Sequence, residues 1–584
     1  DSLPWYMCQE IVVTAKRVPS KLEQLAFSVS VIDRSEIDLA LSNSPTDLAG
    51  TLPGVFVQKT GSFGRSDVSI RGLGSRGRRA VVLIDGRPER MALFDCTVTH
   101  SFQLHDVERI EVVRGPASVL YGSGAMGGVL NVIPRQYQGN GISLRTSYGS
   151  HGTVNATGRA EAGSGPLEGA LSLDYRTSDG HLANSAYEGF DAAARAGFTT
   201  TGGMELRFAA KYFDGYKEEP IRFTDSPDEI SDTWNDYRRG SLDLLAAGET
   251  RGAGYQIRYY RSFGEHEFSD GWHSKDATDG AILHVTGQPI PRLEIAGGAD
   301  GRLQRGEQLG GEQETWDKWE GGVYCTLEYS AADRFIFSGG ARYNHDKYAD
   351  GELCPAFGLI VVPRDGTTIR ANAARAFRTP QLNELFMFPS SNENLNAETA
   401  WSYELGLRQR FWRGSSIDLA GFVMKGEDLI ETVPNHTPPP LFYFENAGSF
   451  EFMGGEAALN LDIHANLTGR LSYAYLDPGE WTKGRPGGTI DMTVIITTDN
   501  GSFRLTGKRV DDYYASNDHL DPIDPYTTID LYAETERIKG LILFAGVENL
   551  FDERYALFVD LPGGEAGLYE MPGRTVFGGL KFSL

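Results

Sequence analysis

ERIEVVRGPASVLYGSGAMGGVLNVIP, residues 108–134, is the stretch from which the architecture of the whole chain can be worked out. It begins with an alternating pattern in which Ile110 and Val112 share one face of a strand and Glu111 and Val113 share the other. A turn at 114–116 and several glycines then lead into a second apolar run over 129–133. The stretch therefore predicts two strands joined by a glycine-rich connection.

The segment just upstream, DVSIRGLGSRGRRAVVLIDGRP (67–88), has the same strand–glycine–strand character. Two G-x-G-x-x-G patterns occur in these segments, Gly72-Gly74-Gly77 and Gly122-Gly124-Gly127. A dinucleotide site requires a helix after the glycines, so that the helix N-terminus meets the pyrophosphate. Apolar strand patterns follow both glycine groups instead, which excludes nucleotide binding and indicates tight turns and close backbone packing.

Composition excludes several classes of protein. The formal net charge of −24 argues against a nucleic-acid partner. Four cysteines in 584 residues do not make a disulfide scaffold. No apolar run approaches the roughly 18 residues of a transmembrane helix. If the chain crosses a membrane, it must do so as a closed β-barrel, because hydrocarbon tolerates no unpaired backbone groups.

Segments of about ten residues with alternating apolar and polar side chains, a pattern typical of membrane strands, fill the chain beyond residue 136. In one of them Leu471, Tyr473 and Tyr475 share one face, and Arg470 and Ser472 share the other. Counting the short turns between segments predicts twenty-two strands, a size at which a barrel lumen holds a plug. The longer polar connections are 214–236, 378–398, 428–446 and 553–571.

Motifs in a characteristic order resemble the plug domain of TonB-dependent outer-membrane transporters: LPGV at 52–55, IRG at 70–72, LIDG at 83–86, then the 108–134 stretch. The resemblance implies a membrane all-β fold, a 22-stranded antiparallel transmembrane β-barrel with an N-terminal α+β plug domain inside its lumen. It assigns 1–15 to an N-terminal segment, 16–136 to the plug and 137–584 to the barrel. It also implies a location in the bacterial outer membrane and a transporter rather than an enzyme, and no nucleophile–base arrangement or metalloprotease motif is evident.

The N-terminal segment contains a short stretch that looks like the family's TonB box, and it consists of Glu10, Ile11, Val12, Val13, Thr14 and Ala15. An extended peptide rich in β-branched residues can add a strand to the sheet edge of a partner. The alternative is an ordinary first strand. The position just ahead of the plug motifs favours the energy-coupling segment that TonB contacts.

Three arginines beside the glycine turns, Arg71, Arg109 and Arg114, are candidates for an ionic lock between plug and barrel wall. The alternative is that they are solvated surface arginines. Alternation in the barrel strands points Glu404 and Glu456 into the lumen, where a carboxylate needs a partner. We therefore expect these two glutamates to pair with Arg71 and Arg114.

The resemblance places residues 88–106 at the apical plug loop that faces the ligand, and the candidate contacts there are Arg90, Phe94, Cys96, His100 and His105. The cysteine and the two histidines are spaced C-x3-H-x4-H, and such groups can ligate a soft or borderline metal or a haem iron. The spacing matches no closed zinc pattern. The alternative is that they are simply loop residues.

Acidic side chains are concentrated in the connection at 214–236. Asp225, Asp228, Glu229 and Asp232 are the candidates for a structural calcium ion, because calcium prefers carboxylate oxygens. We favour the alternative of a solvated surface that divalent cations bridge to lipopolysaccharide. No other cofactor is required.

Alternation also separates the cysteines. It places Cys325 on the lipid face and Cys354 towards the lumen or loop edge, so a bridge between them is not expected. The pattern does not assign Cys8 or Cys96.

The barrel carries AFRTPQLNELF at 376–386, followed by NENLNAETAWSYELGLR, which resembles a bipartite motif of the family. Haem-transporting members carry a histidine between its halves, and residues 377–395 contain none, which weakens haem as cargo. We expect active uptake of a small metal chelate, a ferric siderophore or a corrinoid. The alternatives are a haem or metal uptake receptor, or a surface receptor that binds a macromolecule without import. The expected partners of this monomer are TonB, outer-membrane lipid, lipopolysaccharide and the chelate.

Overall fold

The computed structural model describes residues 12–13, 17, 20–42, 44–74, 78–222, 232–310, 313–332, 334–434, 442–559 and 567–584. Within these ranges, no helix is both long enough and apolar enough to cross a membrane. The chain forms a small mixed domain followed by a large antiparallel barrel.

The N-terminal domain is built on a five-stranded sheet in the order β3-β8-β9-β6-β7, where β6 and β9 are parallel and the other pairs are antiparallel. Its strands are β1 (Val12–Val13), β2 (Ser20–Lys21), β3 (Ser28–Ile32), β4 (Val55–Lys59), β5 (Ser66–Ile70), β6 (Ala80–Ile84), β7 (Arg87–Pro88), β8 (Val107–Arg114) and β9 (Gly128–Pro134). Its helices are α1 (Arg34–Asp38), α2 (Pro45–Ala49) and α3 (Ser118–Tyr121), with 3-10 turns at Leu22–Gln24 and Thr99–Ser101. Strands β6 and β9 follow the two glycine patterns, as predicted. A nucleotide site would need helices at these two places.

Both faces of this sheet are buried. Val82, Val112 and Leu130 belong to the cluster on one face, and Val81 and Val129 to the cluster on the other. This explains why β6 and β9 read as continuous apolar runs rather than alternating ones.

Within the described part of the chain, twenty-two antiparallel strands close into one barrel. They are β10 (Gly141–Gly149), β11 (Val154–Ser164), β12 (Leu167–Ser178), β13 (Tyr187–Thr199), β14 (Glu205–Glu218), β15 (Trp234–Thr250), β16 (Ala253–Phe268), β17 (His273–Ile290), β18 (Leu293–Gln308), β19 (Thr315–Ala331), β20 (Phe335–Asp346), β21 (Glu352–Arg364), β22 (Thr367–Arg378), β23 (Glu398–Arg410), β24 (Ser416–Glu427), β27 (Phe450–His464), β28 (Leu467–Asp477), β29 (Gly488–Thr498), β30 (Gly501–Asp511), β33 (Tyr526–Ile538), β34 (Leu541–Glu548) and β37 (Thr575–Ser583). The predicted barrel and its strand number are confirmed.

The barrel closes where β37 pairs with β34 on one side and with β10 on the other, in a register that sets Phe582 opposite Leu144. Side chains alternate between the two faces of the wall. On β23, Tyr403 and Leu405 are 49% and 63% exposed, whereas Glu404 between them is 5% exposed. The apolar side chains therefore point out of the barrel and the polar ones point in.

The N-terminal domain lies inside the barrel as a plug, because its side chains contact inward-facing residues on different walls. Arg71 contacts Glu456 on β27, and Asp85 contacts Arg258 on β16 at 2.9 Å. The plug thus fills the lumen that a barrel of this size would otherwise leave open.

Several connections between barrel strands contain secondary structure within their described residues. Two of the predicted long connections contain hairpins, β25 (Ile430–Pro434) with β26 (Phe442–Asn446) and β35 (Ala556–Val559) with β36 (Gly567–Glu570). The connection between β30 and β33, which was not among the predicted ones, contains a third, β31 (Tyr513–Tyr514) with β32 (Pro522–Ile523). The connection after β22 contains α4 (Leu382–Leu385), and a 3-10 turn at Trp412–Gly414 precedes β24. All of the long connections lie at the same end of the barrel, because short turns join the strands at the other end.

The described cysteines Cys96, Cys325 and Cys354 are free thiols. Cys325 is exposed on β19 and Cys354 is buried on β21, on opposite faces of the wall as the alternation predicted. Cys8 lies outside the described residues.

Candidate functional site

A buried ionic cluster, which we call the first lock, fastens the plug to the barrel wall. Arg71 donates two hydrogen bonds to Glu456, Nε to Oε1 at 2.9 Å and Nη2 to Oε2 at 3.0 Å. Its Nη1 lies 2.8 Å from Glu404 Oε2, and Arg114 Nη1 donates to Glu456 Oε2 at 2.8 Å. All four side chains are at most 4% exposed. The structure thus brings together four of the five residues named for the lock.

The LPGV motif contributes to the first lock through its glycine. Gly54 adopts a φ of +73°, and a Cβ atom there would overlap the Glu456 carboxylate. The neighbouring carbonyl of Pro53 accepts a hydrogen bond from Arg114 at 3.1 Å. Glycine is therefore needed both for the backbone conformation and for the close approach of the carboxylate.

Arg109, the fifth residue predicted for the lock, is not part of it. Its Nε donates to Glu111 at 2.7 Å, and its side chain is 27% exposed. Residues 109 and 111 share one face of β8, whereas Arg114 has the opposite parity along the strand. Arg109 therefore neutralises a neighbouring plug carboxylate instead of reaching the wall.

A second buried cluster, the second lock, was not identified from the sequence. Arg79 donates to Glu398 twice, Nε to Oε2 at 2.8 Å and Nη2 to Oε1 at 2.7 Å. Arg378 binds the same carboxylate at 2.5 Å and Glu384 at 2.9 Å, and Glu384 also accepts from Arg78 at 2.6 Å. The cluster joins the entry of plug strand β6 to the loop between β22 and β23. Two features of the sequence could have indicated this cluster. One is the arginine pair Arg78-Arg79 before β6, and the other is the pair of acids Glu384 and Glu398 in the bipartite motif.

The apical plug loop lies under the inward-folded loop that contains α4. Phe94 packs against Trp272 and Phe388, with ring centroids 6.0 and 6.2 Å away. Arg90 is buried and its Nη1 donates to Asp95 at 2.6 Å. Phe94 thus contributes to an apolar surface at the long-loop end, while Arg90 braces the loop from inside.

The cysteine and the two histidines of this loop have separate surroundings. Cys96 donates to the thioether of Met91 at 3.6 Å, and burial raises the pKa of its thiol. His100 packs against Tyr187, Phe213 and Tyr237. Burial lowers the pKa of His105 to about 3. Within the described ranges, no group of three or more His, Cys, Asp or Glu side chains is arranged to hold a metal ion.

Two predicted sites fall largely outside the described residues. Of the segment 10–15, only Val12 and Val13 are described, as a short strand that pairs with β2. Of the four calcium candidates, Asp225, Asp228 and Glu229 lie outside the described residues, and Asp232 is exposed.

Two family models match the chain. The model described as TonB dependent receptor-like, beta-barrel matches residues 124–550, which is more than half of the chain, and the TonB-dependent Receptor Plug Domain matches residues 21–129. The chain belongs to the TonB-dependent receptor family. This receptor is therefore a protein of the bacterial outer membrane, and its family consists of receptors and transporters.

Curated relatives and solved structures align with nearly the whole receptor. It is 24% identical over 571 residues to the vitamin B12 transporter BtuB of Vibrio vulnificus (strain YJ016), covering 93% of this chain and 91% of that protein. It is 26% identical over 621 residues to the iron-regulated outer membrane virulence protein of Vibrio cholerae serotype O1 (strain ATCC 39541), again covering 93% and 91%. The siderophore receptor PiuA from Acinetobacter baumannii shares the fold, with a TM-score of 0.82, 15% identity and 98% coverage of both chains.

Proposed function

We propose that this receptor imports a small metal chelate, a ferric siderophore or a corrinoid, across the outer membrane. TonB is its periplasmic partner and contacts residues 10–15, and the barrel works as a monomer surrounded by lipid and lipopolysaccharide. The observation that carries the proposal is the first lock. A plug that fills the pore and is held by Arg71 and Arg114 on Glu456 blocks passage until it moves. Moving it requires energy from outside the barrel, and a pulled N-terminal segment supplies that energy.

The relatives support this cargo class. The curated relatives include a vitamin B12 transporter and an iron-regulated outer membrane protein, and PiuA is a siderophore receptor. Both cargo types are metal complexes. An energised receptor suits either one.

The long-loop end offers a surface on which such a cargo can bind. Trp272 and Phe388 lie 5.6 Å apart between ring centroids, and both contact Phe94 at the plug apex. Three half-buried rings from the plug and two loops present apolar area with little loss of side-chain entropy on binding. Because the rings come from the plug and from the loops, a bound chelate contacts both at once.

Deletion of residues 10–15 tests the energy-coupled mechanism. Cells that carry the deletion should still bind the chelate at their surface but should not accumulate it, and heat-modifiable gel migration confirms that the shortened receptor still assembles its barrel. A thermal-shift screen of siderophores, haem and cobalamin first identifies the chelate to be used. Uptake that persists after the deletion refutes the proposal, and binding without any uptake in the wild-type receptor supports the surface-receptor alternative.

A further inference from the structure

A cavity that neither lock uses lies between the plug and the wall formed by β10, β11, β12 and β37. His105 of the plug, His151 of the β10–β11 turn and His181 of the β12–β13 loop all line it. It measures about 110 Å³, well below the roughly 300–1,000 Å³ of a pocket that encloses a whole small-molecule ligand. The cavity can therefore receive one edge of a chelate while the remainder lies outside it.

His181 has the arrangement of a histidine prepared to bind a metal. Its Nε2 lies 2.9 Å from the carbonyl oxygen of Glu570. A carbonyl can only accept, so Nε2 carries the proton and Nδ1 keeps its lone pair. Within the described part of the chain, that buried Nδ1 has no hydrogen-bond partner. Histidine ligands usually donate their other ring N–H to a carbonyl or carboxylate in this way.

His151 supplies a second imidazole at the exposed rim of the same cavity. Its ring centroid lies 6.1 Å from that of His181. Its carbonyl accepts from the Asp179 N–H at 2.9 Å, which ties the turn to the neighbouring loop. His151 adopts a φ of +57°, a left-handed conformation that glycine reaches at lower cost.

We propose that His151 and His181 bind the metal of the imported chelate directly. Metal–imidazole bonds of about 2.0–2.1 Å, together with the size of the rings, allow two imidazoles on one metal to have centroids up to roughly 6.4 Å apart. That upper limit applies to nitrogens on opposite sides of the metal, whereas nitrogens on adjacent positions bring the centroids to roughly 4.5 Å apart. The observed separation is 6.1 Å, so the exposed His151 ring must rotate towards His181 to occupy an adjacent position. The inference rests on the proposed function and narrows its cargo class.

The cargo must supply the remaining ligands, because the described residues hold no group of three ligating side chains. It must also keep coordination positions open or exchangeable for two nitrogens. A hexadentate ferric siderophore has no such position. A chelate of zinc, copper, nickel, cobalt or iron that leaves positions open to imidazole has the required chemistry.

The neighbourhood of His181 connects metal binding to the plug. A Cβ atom on Gly61 of the plug would lie 3.4 Å from Cε1 of His181. The imidazole thus lies beside the plug loop that precedes β5. Movement of this ring on metal binding would therefore take place beside the plug.

The test uses the full-length receptor in detergent, without a histidine tag, and nickel nitrilotriacetate as the probe. This chelate leaves adjacent positions of the nickel open. His181→Gln keeps an N–H for the Glu570 carbonyl and removes the ring nitrogen, and His151→Ala removes the other ligand. His519→Ala, at an exposed loop histidine that does not line the cavity, is the matched control. Heat-modifiable gel migration confirms that each variant is folded.

We expect one strong nickel site in the wild type by calorimetry, weakened at least about tenfold by either cavity variant and unchanged by His519→Ala. Equal affinity in the wild type and His181→Gln overturns the inference, and so does absence of binding in the wild type. These outcomes are separable from failure of the proposed function, because that failure appears as chelate uptake that does not require residues 10–15. Uptake that requires residues 10–15, without any nickel site, refutes only the two-histidine site.

Discussion

Arg79 of the plug and Glu398 of the barrel form a doubly hydrogen-bonded ion pair with distances of 2.8 and 2.7 Å, and neither side chain is more than 1% exposed. Removing two charges from water costs several kcal/mol for each ion, which the attraction between them offsets only if the geometry is good. Such a pair fixes the relative position of plug and barrel more than it adds to the net stability of the fold. It fixes where β6 sits relative to the loop after β22.

Glu398→Ala should destabilise the plug strongly, because it leaves Arg79 and Arg378 buried without their shared carboxylate. We expect a loss of about 3–5 kcal/mol in the free energy of plug unfolding, measured by hydrogen exchange of β6 in denaturant. Lys425→Ala is the control, since its pair with Glu451 at 2.9 Å is exposed and should contribute less than about 1 kcal/mol. Similar losses in the two variants would show that the second lock does not hold the plug.

Gly54→Ala should disturb the first lock without changing any charge. The new Cβ displaces the Glu456 carboxylate from Arg71, so we expect cells to become more sensitive to large antibiotics that the plugged barrel excludes. Gly165→Ala is matched in backbone cost, because Gly165 has a φ of +61° but nothing within 4 Å of its added Cβ. If the two variants show equal permeability, backbone strain alone accounts for the effect.

Arg17→Ala should weaken the attachment of β1 to the rest of the protein. The Arg17 guanidinium lies 5.3 and 5.5 Å from the ring centroids of Tyr121 and Tyr324, and Nη2 is 3.5 Å from Asp300. Cation–π contacts that are shielded from water contribute up to about 2 kcal/mol each. A spin label at residue 12 should become more mobile in Arg17→Ala than in Arg207→Ala, which removes an exposed barrel charge. An unchanged spectrum would exclude Arg17 as the anchor.

The plug should lose stability as the pH falls through the titration range of histidine. Burial, followed by the nearby charge of Lys217, lowers the pKa of His100 well below its usual 6.5. His100 therefore binds a proton near pH 6.5 in the unfolded plug but stays neutral at that pH in the folded plug. The stabilising effect is fully present above about pH 6.5 and is lost below it, at no more than about 1.4 kcal/mol for each pH unit.

Plug unfolding followed by denaturant titration between pH 7.5 and 5 measures this slope, which His100→Phe should reduce. Phenylalanine keeps the contacts with Phe213 and Tyr237 and cannot titrate. His464→Gln, at an exposed position, should leave the slope unchanged. A slope that is the same in His100→Phe and the wild type would assign the pH dependence to other groups.

Much of the barrel could be derived from the sequence, because a wall that separates lipid from lumen imposes a strict two-residue period. That period alone pointed Glu404 and Glu456 inward. The number of strands followed from the turns, since each hairpin needs a short polar connection with its own turn residues. Where the same alternation and turn pattern repeats along the chain, counting the repeats was enough to predict the number of strands.

One failure came from overlooking strand parity, and the others lie where no local rule applies. Arg109 was grouped with Arg114 because both flank a glycine turn, although parity along β8 pairs Arg109 with Glu111. The pair between Arg79 and Glu398 joins residues 319 positions apart, and no periodicity relates them. The pairing of His151 with His181 likewise depends on how two loops meet, which the sequence of neither loop specifies.

Strand β37 joins β10 to close the barrel, although these strands lie at opposite ends of the barrel sequence. The ribosome synthesises the plug first and β37, the strand that closes the barrel, last. The plug is therefore complete before the barrel can close. During biogenesis the plug must be held in a form that can still enter an open cylinder. If the plug already lies among the strands when β10 pairs with β37, the formation of that seam encloses it.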